Sequence, residues 1–159
     1  MIIRKGTIQD MPAVLALIKE LAEFEKEPNA VEVTLSDLER DGFSNTPLFQ
    51  TFVAEQDNAV IGVALYYYRY STWKGKTIHL EDLVVKEDKR GTGAGFALYS
   101  QIIQQGHKEG VKRIEWNVLD WNTHAITFYE KSGAKILQDW KVVQMNKEGI
   151  VHFISKLNK

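Results

Sequence analysis

The sequence predicts a mixed α/β (α+β) protein whose central sheet is largely antiparallel and flanked by helices. Three observations lead to this fold class. Residues 10–25 repeat apolar side chains at helical spacing behind a capping sequence at 7–10. Residues 49–85 contain three strand-like segments joined by short turns. A glycine-rich segment at 90–95 then separates the third strand from another helical pattern.

The first half of the chain is predicted to hold one strand, two helices and then three strands. Asp57 and Asn58 favour a tight turn, so the first two of those three strands should form a hairpin. Gly42 is placed to stop the second helix. In order, the elements are a strand at 2–6, a helix at about 10–25, a helix capped by residues 34–37, strands at 49–55 and 60–70, a loop at 71–76 and a strand at 77–85.

The second half is predicted to begin with a helix and to end with a β-hairpin. The helix between two strands should make those strands parallel, since a crossover connection returns the chain in the same direction. The elements are a helix at 96–108 ended by Gly110, a strand at 113–119, a helix at 122–131 stopped by Gly133, and a hairpin of strands 141–145 and 150–156 around a turn at 147–149.

Composition narrows the class of protein. The chain has 159 residues, which favours a single domain over 1–159, and 44% are hydrophobic, which is enough for a core. A net charge of −1 gives no overall attraction to nucleic acid or to a membrane surface, so neither partner is expected. The polar start of the chain and the short apolar runs favour a cytoplasmic protein without a signal peptide or membrane span.

Two further classes of chemistry are disfavoured. The absence of cysteine excludes disulfides, a thiolate nucleophile and Cys-ligated metal sites. The four histidines are scattered along the chain without metal-ligand spacing, so no metal is expected. They are His79, His107, His124 and His152.

The glycine-rich segment Arg90-Gly91-Thr92-Gly93-Ala94-Gly95 is suited to hold a pyrophosphate. Glycines allow the backbone to approach a ligand, and the N–H groups at the start of a helix point at it. Phe96 stands where a P-loop has lysine, and the preceding hairpin argues against a dinucleotide-binding βαβ unit. A plain flexible loop before a helix is the alternative interpretation.

A second motif follows about thirty residues later, with Asn122, Ala125, Phe128 and Tyr129 at fixed spacing. Asn122, Ala125 and Tyr129 share one face of the predicted helix. Together with Arg90, Gly93 and Gly95, this motif resembles the GCN5-related N-acetyltransferase (GNAT) superfamily over nearly the whole chain. The resemblance implies the GNAT fold, acetyl-CoA as co-substrate, and direct acetyl transfer to an amine in a ternary complex.

Further segments are similar to the diamine (spermidine/spermine) N-acetyltransferase branch. They include residues 17–25, 41–43, 66–68, 73–76 and 80–83. One departure concerns Ser71, which stands where polyamine-acetylating members have an acid. Its loss weakens the case for a long polycation and leaves room for a shorter amine such as thialysine. Branch members also form homodimers, and a homodimer is expected here.

The resemblance implies a role for each site residue. Tyr129 would protonate the departing CoA thiolate, and Glu81 would collect the proton of the amine directly or through water. The expected CoA-binding residues are Leu83, Val84, Val85, Arg90, Gly91, Thr92, Gly93, Ala94, Gly95, Phe96, Asn122, Ala125 and Tyr129. The expected amine-binding residues are Phe24, Glu25, Trp73, Glu81, Asp82, Glu115, Trp116 and Asn117, with Gln138 or Asp139 closing the channel.

Two other functions stay open from the sequence. An acidic groove also fits acetylation of a protein N-terminus or lysine. A sensor that binds acyl-CoA without turnover is the alternative from another class, although a sensor has no need of Tyr129 and Glu81.

Overall fold

The computed structural model describes residues 1–157, which form two compact units. The first unit is Met1–Asn117, and the second begins at Val118. Within residues 1–157, no helix is both long enough and apolar enough to cross a membrane.

The helices and strands agree with the predicted order until the last segment of the chain. The elements are β1 (Ile2–Lys5), α1 (Met11–Phe24), α2 (Leu35–Phe43), β2 (Gln50–Gln56), β3 (Ala59–Ser71), β4 (Gly75–Val85), α3 (Ala94–Glu109), β5 (Ile114–Glu115), α4 (Thr123–Lys131) and α5 (Lys147–Leu157). Short 3₁₀ turns precede α1 and follow β4.

The five strands form one sheet in the order β1-β2-β3-β4-β5. Neighbours are antiparallel except β4 and β5, which are parallel. The parallel pair is joined by α3, which confirms the predicted crossover. Asp57 and Asn58 both have positive φ, 52° and 59°, and so form the tight turn predicted between β2 and β3.

Each face of the sheet carries its own core. One face packs against α3, with Ile78 and Leu80 of β4 touching buried side chains of that helix, Leu98 among them. The other face packs against α1 and α2, where Val63 of β3 meets Leu17. This arrangement, with helices on both faces of a mainly antiparallel sheet, is the predicted fold class.

The start of α1 and the end of α2 show how local sequence fixes the elements. The Asp10 carboxylate accepts hydrogen bonds from the Thr7 backbone N–H at 2.8 Å and the Thr7 hydroxyl at 2.9 Å, as the capping prediction required. At the end of α2, the helix continues one residue past Gly42, to Phe43. A side chain at Gly42 would have its Cβ 2.7 Å from Cζ of Phe49, so close packing accounts for this glycine.

Two predictions were wrong in the last third of the chain. The strand predicted at 113–119 is only Ile114–Glu115. The predicted C-terminal hairpin is instead α5. Asn146 explains the difference, because its side chain accepts from the Gly149 N–H at 2.9 Å and its carbonyl accepts from the Ile150 N–H at 3.0 Å. The residues predicted as a turn are therefore the first turn of a capped helix.

Candidate active site

The glycine-rich segment forms the entry to α3. Gly91 and Gly93 have φ of +78° and +87°, a backbone region that disfavours side chains, and Gly93 is the N-cap residue of the helix. The Thr92 hydroxyl closes the loop by donating to the Lys89 carbonyl at 2.8 Å. Because α3 has 16 residues, its first turn presents N–H groups and the positive end of a full helix dipole. This geometry fits an anionic group such as a pyrophosphate.

The loop also touches the C-terminal end of α1. The Arg90 guanidinium lies 5.1 Å from the centre of the Phe24 ring, and its Nε lies 3.5 Å from the Val85 carbonyl oxygen. The Glu20 carboxylate accepts from the Glu87 N–H at 2.6 Å. Two residues predicted for different ligands, Arg90 for CoA and Phe24 for the amine, are therefore neighbours.

A β-bulge in β4 sets the orientation of its acidic residues. Leu65 pairs with Asp82 and Tyr66 pairs with Leu80, so Glu81 is the extra residue between them. The bulge changes which side chains of the strand face each side of the sheet. Ile78 and Leu80, before the bulge, face α3, whereas Val84, after it, faces α1. Glu81 and Asp82, although adjacent in sequence, consequently lie on the same face of the sheet, the face that α1 covers.

Three carboxylates share one electrostatic environment at this bulge. Burial raises the pKa of Asp82 to about 6, and the negative charges of Glu81 and Glu25 raise it further. Burial also raises the pKa of Glu25, which directly follows α1. Glu25, Glu81 and Asp82, here termed the acidic cluster, therefore form a site where a positive charge is favoured.

The edge of β4 beside the acidic cluster is open. The strand β5 pairs with β4 only at Ile78 and His79. From Leu80 to Val85, β4 is thus paired on one side alone within residues 1–157, and its outer backbone groups remain available. An extended ligand with amide groups can add to such an edge like another strand. The edge leads from the acidic cluster to the glycine-rich loop.

Sequence reasoning missed two residues beside Glu81. His79 is buried, and its Nε2 lies 3.5 Å from a carboxylate oxygen of Glu81. The Tyr67 ring lies 5.1 Å from the His79 ring, and burial followed by the charge and hydrogen bonding of Glu81 raises the pKa of Tyr67. The alternation of side chains along β3 and β4, which places all three on one face, was the signal available.

Other predicted amine-binding residues lie elsewhere in the first unit. Trp73 is 81% exposed at the tip of the β3–β4 hairpin, where the Ser71 hydroxyl accepts from its N–H at 3.2 Å. From Gly75 to Glu81, β4 extends about 20 Å at 3.3 Å per residue, so the structure does not bring Trp73 to the acidic cluster within one chain. Trp116 packs against Tyr99 of α3, with ring centres 5.6 Å apart.

Glu115 and Asn117 differ in their surroundings. Glu115 forms ion pairs with Arg69 and Arg113, so its charge is already balanced. Asn117 is exposed.

The second unit holds the second motif. Asn122 is the N-cap residue of α4, and its side-chain oxygen accepts from the Ala125 N–H at 3.2 Å. Tyr129 is buried on the same helix, with its ring 5.4 Å from that of Phe128. The helix ends as predicted before Gly133, which has φ of +96°. Gln138 and Asp139 are exposed.

The first unit therefore combines a pyrophosphate cradle, an open strand edge and an acidic cluster. This set of groups suits a long ligand with phosphate and amide parts next to a cationic one. Among residues 1–157, no group of three or more His, Cys, Asp or Glu side chains is arranged to hold a metal ion.

Comparison with known proteins identifies a family for this arrangement. Residues 15–134 match the family model described as Acetyltransferase (GNAT) family, a span that includes both the glycine-rich loop and the Asn122 motif. Thialysine N-epsilon-acetyltransferase from Bos taurus is 38% identical over 145 residues, which cover 86% of this chain and 85% of that protein.

Two other relatives are similar over most of this chain. The human spermidine/spermine N(1)-acetyltransferase-like protein 1 is 33% identical over 94% of this chain and 23% of its own length. The L-ornithine N5-acetyltransferase of Arabidopsis thaliana is 32% identical over 83% of this chain and 55% of its own length.

Solved structures share the fold. An integron cassette protein from the mobile metagenome of V. cholerae superposes with a TM-score of 0.79 at 20% sequence identity, covering 96% of each chain. The family match spans most of this chain and the fold agrees with it. The chain therefore belongs to the GNAT acetyltransferase family and is an acetyl-CoA-dependent N-acetyltransferase.

Proposed function

We propose that the protein transfers the acetyl group of acetyl-CoA to a primary amine of a small molecule, with thialysine or a similar amino-acid side chain as the preferred acceptor. The observation that carries this proposal is the acidic cluster on the bulge of β4, directly beside the open edge of that strand. The cluster supplies the negative charge that attracts an alkyl ammonium.

The acceptor must lose a proton before it attacks. An alkyl ammonium like that of lysine has a pKa of about 10.4, so its deprotonation at pH 7 costs about 4–5 kcal/mol. The carboxylates of Glu81 and Asp82 attract the cation. The Glu81 side chain is half-exposed, so a water molecule can reach it and relay the proton. We therefore assign Glu81 the role of proton acceptor through water.

The size of the cluster favours a short amine. Within one chain, the next predicted cation-binding wall, Trp73, is about 20 Å along the strand from Glu81. Ser71 accepts from the N–H groups of Trp73 and Lys74 and so serves the hairpin turn. Thialysine and ornithine, named for two relatives, are short amino acids with one side-chain amine, and both fit this picture.

Acetyl-CoA is assigned to the edge and the loop. Leu83, Val84 and Val85 would pair with the pantetheine arm, and one backbone N–H of this stretch would stabilise the oxyanion of the tetrahedral intermediate. The loop from Arg90 through Phe96 would hold the pyrophosphate, with Asn122 and Ala125 assisting from α4. Tyr129 would donate a proton to the CoA thiolate, since a tyrosine hydroxyl is protonated at neutral pH.

The second unit would join the first in one acetyltransferase domain spanning 1–159. A homodimer is also proposed, supported by α5, whose described side chains are all exposed although Ile150, Phe153 and Ile154 are apolar. Light scattering of the purified protein would show the mass of two chains.

A panel of acceptors separates the proposed function from its alternatives. CoA release is measured with thialysine, ornithine, spermidine and a lysine-containing peptide. Turnover with the free amino acids supports the proposal. Turnover with the peptide alone assigns a protein acetyltransferase, and tight acetyl-CoA binding without turnover assigns a sensor.

The role of Tyr129 is tested by Tyr129→Phe. The variant should lower kcat by about 100-fold, because general acid catalysis contributes on this scale, while the Kd of acetyl-CoA stays unchanged. Tyr70→Phe is the matched control, since Tyr70 is 82% exposed on the hairpin. Unchanged kcat in Tyr129→Phe would remove Tyr129 from its role.

A further inference from the structure

His79 sits in a chain of polar contacts that ends at Glu81. Its Nδ1 lies 3.2 Å from Nη1 of Arg69, and its Nε2 lies 3.5 Å from Oε2 of Glu81. Arg69 is itself paired with Glu115. The order is thus Glu115, Arg69, His79, Glu81, running across β5, β3 and β4 on one face of the sheet.

The contact with Arg69 determines where the imidazole proton lies. A guanidinium has only donors, so Nδ1 must be the acceptor of this hydrogen bond. In the neutral ring the proton then resides on Nε2, which faces the Glu81 carboxylate. Burial lowers the pKa of His79, and the positive charge of Arg69 lowers it further against the opposing charges of Glu81 and Glu115. Both effects favour the neutral ring.

We propose that Arg69 and His79 form a positioning pair, in which Arg69 fixes the Nε2–H tautomer of His79 and this N–H holds Glu81 as an oriented carboxylate. His79 is a positioning residue and not a proton acceptor, because its only basic nitrogen is occupied by Arg69. The inference rests on the proposed role of Glu81 in the amine reaction.

The groups that face His79 in the first unit fit this assignment. The Tyr67 ring on β3 lies tilted against the His79 ring, and Glu81 follows on β4. Glu115 on β5 pairs with both Arg69 and Arg113. His79 therefore lies between one cation and one carboxylate, and its neutral ring can link them only in the orientation described.

NMR of the ¹⁵N-labelled protein tests the tautomer without any reliance on activity. Of the four histidines, His79 is assigned by its loss in His79→Gln. At pH 7 its ring should show the Nε2–H pattern, and it should titrate below the ordinary histidine pKa of about 6.5. In Arg69→Met, His79 should titrate at higher pH. An Nδ1–H pattern, or a charged ring at pH 7, would overturn the proposal.

Kinetics test the consequence for Glu81. His79→Phe keeps the ring contact with Tyr67 but loses the N–H donor. The kcat should fall about tenfold, which is less than the loss of an acid–base group itself causes, and the KM of acetyl-CoA should stay unchanged. The acidic limb of the kcat/KM profile should move to higher pH, because the carboxylate loses a stabilising donor. His79→Gln, whose amide N–H reaches the position of Nε2, should recover most of the rate.

His107→Gln is the matched control, since His107 is exposed on α3, and its rate should equal that of the wild type. Equal kcat and an unshifted profile in His79→Phe would overturn the positioning role. If His79→Phe fails to fold, the comparison of Arg69→Met with the wild type decides by the same pH profile. Absence of turnover in the wild type with every amine would instead overturn the proposed function, while the NMR result still decides the tautomer.

Discussion

At the scale of single residues, Asp82 is the clearest case of a side chain whose environment opposes its charge. Burial, and then the charges of Glu81 and Glu25, raise its pKa from 3.8 to about 6. The folded protein thus binds this proton more tightly than the unfolded chain does. Ionisation of Asp82 costs stability as the pH rises above about 4, and the full cost is present above pH 6. A bound ammonium would offset that cost.

Replacement of this carboxylate by a neutral amide should stabilise the protein at alkaline pH. The difference between pKa 3.8 and about 6 corresponds to about 3 kcal/mol, so Asp82→Asn should raise the free energy of unfolding by up to this amount at pH 8 and by almost nothing at pH 3. Urea unfolding at both pH values measures it. Asp88→Asn is the control, since the Asp88 side chain is 72% exposed, and an equal gain in both variants would contradict the account.

At this scale, the resemblance points to residues that the structure brings together, whereas features that depend on the pairing of strands were not predicted. Glu81 and Asp82 were identified from the sequence, and the structure brings them together with Glu25. The bulge that turns both carboxylates to one face leaves no mark in the sequence, because bulges depend on the pairing of two strands. The contact between His79 and Glu81 was missed although the two residues are two apart on one strand and so share a face.

At the scale of elements, Glu109 fastens the end of α3 to the β3–β4 hairpin. Its carboxylate accepts from the Tyr68 hydroxyl at 2.6 Å, from Lys76 Nζ at 2.7 Å and from the Gln105 amide at 2.5 Å. Burial alone raises the pKa of Glu109, but the three donors outweigh it and lower the pKa to about 2. An acidic residue at the negative end of a helix needs such partners.

Glu109→Gln should therefore destabilise the protein at neutral pH. After allowance for solvent screening the loss should be about 1 kcal/mol. Since the folded pKa is lowered, this stability is present above about pH 4.5 and disappears as the pH falls toward 2. Thermal unfolding at pH 7 and pH 3 checks both points. Glu130→Gln, at an exposed position of α4, should change little, and a pH-independent loss in Glu109→Gln would argue against the ion-pair explanation.

The loop before α3 allows folding to be separated from cofactor binding. A Cβ at Gly95 would lie 3.7 Å from Val85 Cγ2, an ordinary contact, so Gly95→Ala should fold like the wild type. The added methyl group would occupy space assigned to the pyrophosphate and should weaken acetyl-CoA binding about tenfold, or about 1.4 kcal/mol. Calorimetric titration with acetyl-CoA measures this.

Gly110→Ala provides the opposite pattern as a control. Gly110 ends α3 with φ of +67°, so a side chain there is strained by about 1–2 kcal/mol. This variant should lose stability and keep its acetyl-CoA affinity. Wild-type affinity in Gly95→Ala would show that the pyrophosphate does not approach this glycine.

Among the elements, short-range signals decided which predictions held. Helices with clear caps and the Asp57-Asn58 hairpin were predicted nearly to the residue. The C-terminal segment was wrong because Ile150, Val151 and Ile154 favour a strand by their branched side chains, whereas the Asn146 cap favours a helix. The recurrence of apolar residues at 150, 153, 154 and 157 matches helical spacing and was the signal available.

At the scale of the whole molecule, the proposed reaction depends on two motifs. The first unit holds the glycine-rich loop, the open edge of β4 and the acidic cluster. The second holds Asn122 and Tyr129. The family match runs from residue 15 to residue 134 and so contains both motifs. The fold class, the cofactor and the reaction were predictable from the motifs, whereas the acceptor depends on side chains that no motif fixes.

The proposed function is tested most directly by steady-state acetylation of thialysine and spermidine, compared by kcat/KM at pH 8 with saturating acetyl-CoA. Saturable CoA release is expected with thialysine, with a product that carries one added acetyl group by mass spectrometry, and kcat/KM should be lower for spermidine. Release of CoA with neither amine, by a folded protein that binds acetyl-CoA, would contradict it.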